Sequence, residues 1–97
     1  MRRNPPRPDA SGVLLQLRGR IDALDTRLLR LLNQRAALAL RVGRLKKRQG
    51  LQLFDPRREQ AILRRLMQAN GGPLSPQAVR AIYREVLTQV RRFERCA

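Results

Sequence analysis

Hydrophobic residues in the first half of the chain recur in a heptad pattern. Between Val13 and Arg48 there is no proline, and one set of apolar positions recurs at steps of three, four or seven residues. This apolar seam consists of Leu14, Leu17, Ile21, Leu24, Leu28, Leu31, Leu38, Val42 and Leu45. Such spacing keeps side chains on one face of an α-helix and is typical of a helix packed along a second helix. It predicts a helix over residues 12–48, roughly 50 Å long.

A second, shorter helix is predicted after a loop at residues 49–54. Asp55 has the side chain of a helix N-cap, and Pro56 stands at the first helical position, where proline is favoured. Helical spacing continues in the apolar residues Ile62, Leu63, Leu66 and Met67. These signals predict a helix over residues 55–69.

A third helix is predicted over residues 75–95. Ser75 and Pro76 repeat the start signal. An apolar stripe then runs through Val79, Ile82, Tyr83, Val86, Val90 and Phe93. The expected fold class is therefore all-α, with one long, one short and one medium helix in a domain at residues 12–97. So small a chain cannot cover the seam of its long helix, and we expect a homodimer in which a second copy covers it.

The remaining composition excludes several classes of protein. Residues 1–11 are basic and rich in proline, so we expect a disordered tail there. No apolar run is long enough for a signal peptide or a membrane span, which favours a cytoplasmic protein with no membrane partner. Cys96 is the only cysteine and histidine is absent, so we expect no disulfide and no metal site.

The net charge of +15 indicates an anionic partner but does not identify it. A basic protein attracts nucleic acid, an acidic membrane or a small polyanion. A helical nucleic-acid-binding dimer would need a contiguous basic face and would bind more weakly as salt rises. The basic residues here are spread over all three predicted helices, and the sequence contains no recognised DNA-reading module. We therefore expect no nucleic-acid partner, and keep that dimer as the alternative from a different functional class.

Four charged residues interrupt the apolar faces of the predicted helices. Arg35 takes the position that the seven-residue step of the seam skips, and Lys46 returns to nearly the same face eleven residues later. Glu59 and Glu94 fall on the apolar sides of the second and third helices. A charge on a buried face is costly unless it is paired. The four residues either form interhelical ion pairs or reach a solvated rim, or they line a binding cavity together. Other arginines, including Arg91, are expected on the solvated surface.

Four segments of the sequence resemble a known family. They read LRGRIDALD at 17–25, LLRLLNQR at 28–35, VGRLK at 42–46 and DPRRE at 55–59. They resemble the all-helical class of chorismate mutases over about residues 14–94. The resemblance implies an intertwined homodimer with paired first helices and two active sites. It also implies a cofactor-free isomerase of the shikimate pathway, which converts chorismate to prephenate for aromatic amino acid biosynthesis.

The resemblance assigns three arginines to the two carboxylates of the substrate, chorismate. Arg35 would bind one carboxylate in its own subunit, and Arg18 would reach the active site of the other subunit. Arg58 would help to hold the second carboxylate. The planar guanidinium group of arginine matches a carboxylate through two hydrogen bonds.

Other residues are assigned by the same resemblance to the reacting bond and the ring. Lys46 would donate to the ether oxygen, where negative charge grows in the transition state. Glu59 and the backbone around Asp55 would receive the ring hydroxyl. Glu94 stands where the family commonly has glutamine, and a glutamate donates only when protonated, so we expect activity to rise in acid. Val90 stands where a serine near the substrate carboxylate is frequent, so one hydrogen bond is lost.

Two related reactions remain as alternatives within the same fold. One is rearrangement of 4-amino-4-deoxychorismate, because the acidic groups near the ring would tolerate an amine. The other is cleavage of isochorismate to salicylate and pyruvate. Direct competition between the substrates separates these reactions from the chorismate mutase reaction.

Overall fold

The chain folds into three α-helices. The computed structural model describes residues 8–96, in which α1 spans Pro8–Arg48, α2 spans Pro56–Ala69 and α3 spans Pro76–Cys96. No strand occurs among these residues. The prediction of an all-α chain with one long, one short and one medium helix is therefore confirmed. None of the helices in the described range combines the length and apolar content that crossing a bilayer requires.

The start of α1 differs from the predicted one. The helix begins at Pro8 rather than at residue 12, because proline is accepted in the first turn, where its missing N–H would have no partner. No further proline interrupts the chain before Pro56. The structure thus differs from the predicted disordered tail at residues 8–11. The part of that tail at residues 1–7 lies outside the described residues.

N-terminal caps set the starts of α2 and α3. Asp55 Oδ1 accepts a hydrogen bond from the backbone N of Arg58 at 3.0 Å. Ser75 Oγ accepts one from the backbone N of Ala78 at 3.1 Å. Each cap satisfies an N–H that the first turn leaves without an intrahelical partner, and contributes about 1 kcal/mol. Both caps were predicted, and each helix begins at the residue after its cap.

A short turn joins α2 to α3. Asn70 Nδ2 donates to the carbonyl O of Leu74 at 2.8 Å, and Asn70 Oδ1 accepts from the backbone N of Gly72 at 3.0 Å. Gly72 has a φ of 79°, in the left-handed region that glycine adopts without steric cost. The side chain of Asn70 therefore closes the turn that sets α3 beside α2.

The chain divides into two compact units, Met1–Arg35 and Ala36–Ala97. In the second unit, a small core lies between α2 and α3. Its buried residues are Ile62, Leu63 and Leu87, with Leu66 and Tyr83 packed against them. Hydrophobic burial in this unit is thus concentrated on the facing sides of α2 and α3.

The first unit contains the N-terminal part of α1 and most of the apolar seam. The seam residues of this unit are Leu14, Leu17, Ile21, Leu24, Leu28 and Leu31, each between 47% and 58% exposed. Six half-exposed large apolar side chains on one helical face form a contiguous hydrophobic patch, a feature that often marks an interaction surface. In the single chain, the apolar seam of this unit is therefore left half exposed to solvent.

Candidate active site

The end of α1 fixes the position of Lys46. The backbone N of Leu51 donates to Lys46 O at 2.8 Å, and the backbone N of Gly50 donates to Lys47 O at 3.2 Å. Gly50 has a φ of 71°, so α1 ends in a Schellman motif. The half-buried Lys46 side chain donates from Nζ to the carbonyl O of Leu53 at 3.4 Å. An ammonium group has three donor hydrogens, and the bond to Leu53 O uses one of them.

Glu94 of α3 packs against α1 at a position that has no side chain. Gly43 is buried, and a Cβ atom added to it would lie 3.2 Å from Glu94 Oε2 and 3.4 Å from Leu53 Cδ2. Gly43 lies one helical turn before Lys46, and Leu53 is also the residue whose carbonyl accepts from Lys46. The end of α1, the following loop and the end of α3 therefore bring the half-buried Lys46 and Glu94 to the same corner of the second unit.

The start of α2 carries three residues that the sequence singled out. The cap made by Asp55 holds the backbone of Arg58, and the backbone N of Glu59 donates to Asp55 O at 3.1 Å. Asp55 and Arg58 are exposed, whereas Glu59 is half-buried. The guanidinium group of Arg58 is thus open to an anionic ligand, and the carboxylate of Glu59 faces the protein.

Arg91 is half-buried, so the prediction that it lies on the solvated surface was wrong. Arg91 Nε donates to Glu59 Oε2 at 2.8 Å, and the two side chains are only 25% and 22% exposed. The Cζ atom of Arg91 also lies 4.5 Å from the centroid of the Phe54 ring. Arg91 follows Tyr83 and the buried Leu87 at steps of four residues, the spacing of one helical face. That spacing could have predicted an inward-facing Arg91. The apolar stripe predicted for this helix runs through the neighbouring positions and drew attention away from it.

Three other predicted site residues lie on α1 and α3. Val90 is half-buried and lies one turn before Glu94 on α3. Arg18 is exposed and Arg35 is half-buried, and both belong to the part of α1 in the first unit. The second unit therefore holds Lys46, Val90 and Glu94 together with the polar start of α2.

The second unit offers charged groups of both signs from three elements. An ammonium group comes from the end of α1, guanidinium groups come from α2 and α3, and carboxyl groups come from α2 and α3. Cations in a partly desolvated corner bind carboxylates and stabilise developing negative charge. The fold and site thus define an all-α domain suited to a small, multiply charged organic anion.

One protein family matches most of the chain. The family model for chorismate mutase type II matches residues 17–95. The chain belongs to the chorismate mutase type II family, and the resemblance found in its sequence motifs is confirmed.

Similar proteins include two bifunctional chorismate mutase/prephenate dehydratases. The one from Neisseria gonorrhoeae is 40% identical over 83 residues, which cover 86% of this chain and 22% of that protein. The one from Aquifex aeolicus is 37% identical over 86 residues, which cover 84% of this chain and 24% of that protein. The chain therefore spans about a quarter of the length of these relatives.

Solved structures of similar proteins match nearly end to end. A chorismate mutase from Thermus thermophilus (form II) has a TM-score of 0.83 and 32% identity, covering 84% of this chain and 93% of that one. The chorismate mutase from Helicobacter pylori, in complex with prephenate, has a TM-score of 0.80 and 37% identity, covering 87% and 91%. The chain has the fold of these enzymes.

Proposed function

We propose that this domain catalyses the rearrangement of chorismate to prephenate. The observation that supports this most directly is the placement of Lys46 and Glu94 at the same corner of the second unit, in a chain of the chorismate mutase type II family. The reaction is unimolecular: a C–O bond breaks as a C–C bond forms, and no nucleophile is required. An enzyme accelerates it by holding the dianion in a compact conformation and by stabilising negative charge on the ether oxygen.

In this proposal, residues of the second unit act on the reacting bond and the ring. Lys46 donates to the ether oxygen, and Glu94 is a second donor when it is protonated. Glu59 and the backbone around Asp55 receive the ring hydroxyl, and Arg58 helps to hold a carboxylate. The half-buried state of Lys46 and Glu94 supports their roles, because electrostatic interactions strengthen away from water. Val90 lines the pocket without offering a hydrogen bond.

We also propose that the domain works as a homodimer in which the apolar seam is covered by a second copy. The half-exposed seam, with its heptad spacing, supports this arrangement. The small size of the core also supports a dimer. The buried hydrophobic residues of the described chain are Ile62, Leu63 and Leu87, which form a small core for a folded domain. Arg35 then binds a substrate carboxylate in its own subunit. Arg18 contributes to the active site of the partner subunit.

The proposed function is tested by supplying purified protein with chorismate and identifying the product. Formation of prephenate supports the proposal. Competition with the 4-amino analogue determines which ring substituent the site prefers, and competition with isochorismate determines which position of the ring hydroxyl it prefers. Faster turnover of the amino analogue, or release of pyruvate, would contradict the proposed substrate while leaving the fold unchanged.

Gly43→Ala is expected to lower kcat about 10-fold, because the new Cβ atom would displace the carboxyl group of Glu94 by a few tenths of an ångström. Alanine is favoured over glycine in a helix by about 1 kcal/mol, so the free energy of unfolding should not fall. The matched control is Gly12→Ala, also in α1, where an added Cβ atom would meet nothing within 4 Å. An unchanged kcat for Gly43→Ala would contradict the close packing of Glu94 as a catalytic requirement.

The rate is expected to be higher in acid than at neutral pH, because of the role proposed for Glu94. A protonated carboxyl group donates a hydrogen bond and a carboxylate does not, so the active form is the one present in acid. Glu94→Gln should abolish this dependence, because the amide donates at every pH. The measurement is kcat for both proteins from about pH 4.5 to 8. A flat profile for the wild type, or the same profile in both proteins, would refute the role of Glu94.

A further inference from the structure

Arg91 joins three elements at the edge of the proposed site. Its Nε atom donates to Oε2 of Glu59 on α2 at 2.8 Å, and its Cζ atom lies 4.5 Å from the ring centroid of Phe54, in the loop before α2. The planar guanidinium group is held by an ion pair at one edge and by a ring at its face. Such stacked, ion-paired arginines keep a defined orientation.

The geometry leaves one half of the Glu59 carboxylate for a ligand. Arg91 holds Oε2, and a carboxylate has a second oxygen, Oε1, with two lone pairs. In the proposed reaction Glu59 receives the ring hydroxyl of the substrate. Arg91 is therefore placed to orient the acceptor oxygen of Glu59.

We propose that Arg91 is a positioning residue that makes the site specific for a neutral hydroxyl on the substrate ring. The inference rests on the proposed function and adds to it the residue that determines the ring substituent. Arg91 does this by orienting Glu59 and by neutralising its negative charge. The net charge of the Arg91–Glu59 pair then determines whether the site accepts a hydroxyl or an amine on the ring.

An unpaired carboxylate in a half-buried position would attract a ring ammonium group more strongly than a ring hydroxyl. Paired with Arg91, Glu59 presents a nearly neutral unit that still accepts a hydrogen bond from a hydroxyl. A ring ammonium would also face the positive charge of Arg91, a repulsion that acts against the wrong substrate. The pair thus disfavours the analogue of chorismate whose ring hydroxyl is replaced by an amine, which is protonated at neutral pH.

The test compares kcat/KM for chorismate and for the amino analogue in the wild type and in Arg91→Gln. We expect the ratio of the two values to shift toward the amino analogue by about 10-fold or more, the size of one charged interaction. A purely structural role would lower both values by the same factor and leave the ratio unchanged. Arg91→Lys keeps the charge and should restore most of the wild-type preference, although it loses the planar fork.

Two further variants separate the pairing from general charge effects. Arg92→Gln removes the same charge from the exposed neighbouring position on α3 and should leave the ratio unchanged. In a Glu59→Gln background, Arg91→Gln should no longer shift the ratio, because the carboxylate it neutralises is absent.

The outcomes distinguish this inference from the proposed function. Turnover of chorismate with an unchanged ratio in Arg91→Gln would overturn the role of Arg91 alone. An equal shift in Arg92→Gln would also overturn it, because the effect would then follow net charge. If the wild type neither binds nor converts either compound, the proposed function fails and the role of Arg91 fails with it. Far-ultraviolet circular dichroism of each variant checks that its helices are intact.

Discussion

Replacing Lys46 by alanine is expected to lower kcat for prephenate formation by about 10²- to 10³-fold, the usual effect of removing one donor that stabilises a developing oxyanion. The ammonium group is half-buried and held at the end of α1, where the Schellman ending fixes its backbone and Leu53 O accepts from Nζ at 3.4 Å. Because the charge on the ether oxygen grows only in the transition state, KM should change much less than kcat.

Lys47→Ala is the matched control for this prediction. Lys47 is the next residue on α1, is exposed, and carries the same charge. Its removal tests whether a fall in rate comes from the net charge of the protein or from the position of Lys46. Equal losses in the two variants, or a loss below about 10-fold in Lys46→Ala, would contradict a direct role for Lys46 at the ether oxygen.

Mixing two inactive variants, Arg18→Ala and Lys46→Ala, is expected to restore about a quarter of the wild-type activity. If the chains are unfolded and refolded together, about half of the dimers contain one chain of each kind. When Arg18 serves the partner's site, each mixed dimer has one site with both side chains intact. The exposed position of Arg18 on α1 is consistent with such a role.

The control for this experiment is the mixture of Arg35→Ala and Lys46→Ala. Both residues are proposed to act in the site of their own subunit, so every site in a mixed dimer lacks one of them. This mixture should stay inactive. Recovery in the control, or no recovery in the Arg18→Ala mixture, would refute the assignment of Arg18 to the partner's site. Size-exclusion chromatography of each mixture establishes that dimers have formed.

The helices were predictable because their signals are local. Asp55-Pro56 and Ser75-Pro76 each combine a capping side chain with a residue suited to the first turn, and the structure has helices beginning at both prolines. The start of α1 was missed because the proline at position 8 was interpreted as part of a disordered tail rather than as a first helical residue.

The contacts of the site were only partly predictable. The inward faces of Glu59 and Glu94 followed from helical spacing, but spacing does not identify the partner of a side chain. The pairing of Glu59 with Arg91 depends on how α2 and α3 pack, and the contact of Lys46 with Leu53 depends on the loop conformation. Neither is encoded in the periodicity of a single helix.

Gly43 illustrates the same limit for a small residue. The sequence around a single glycine in a long helical pattern does not show whether the glycine is required there or only tolerated. Its role follows from a tertiary contact, the carboxyl group of Glu94 lying 3.2 Å from where a Cβ atom would stand. Such close approaches are visible only once two helices have been placed together.

The central claim is tested most directly by the rate at which the wild-type protein consumes chorismate, followed by ultraviolet absorbance with the product identified by nuclear magnetic resonance. The proposed mechanism predicts complete conversion to prephenate without added metal or cofactor, at roughly 10⁶-fold or more above the uncatalysed rate. Consumption no faster than in buffer, or a product other than prephenate, would contradict it.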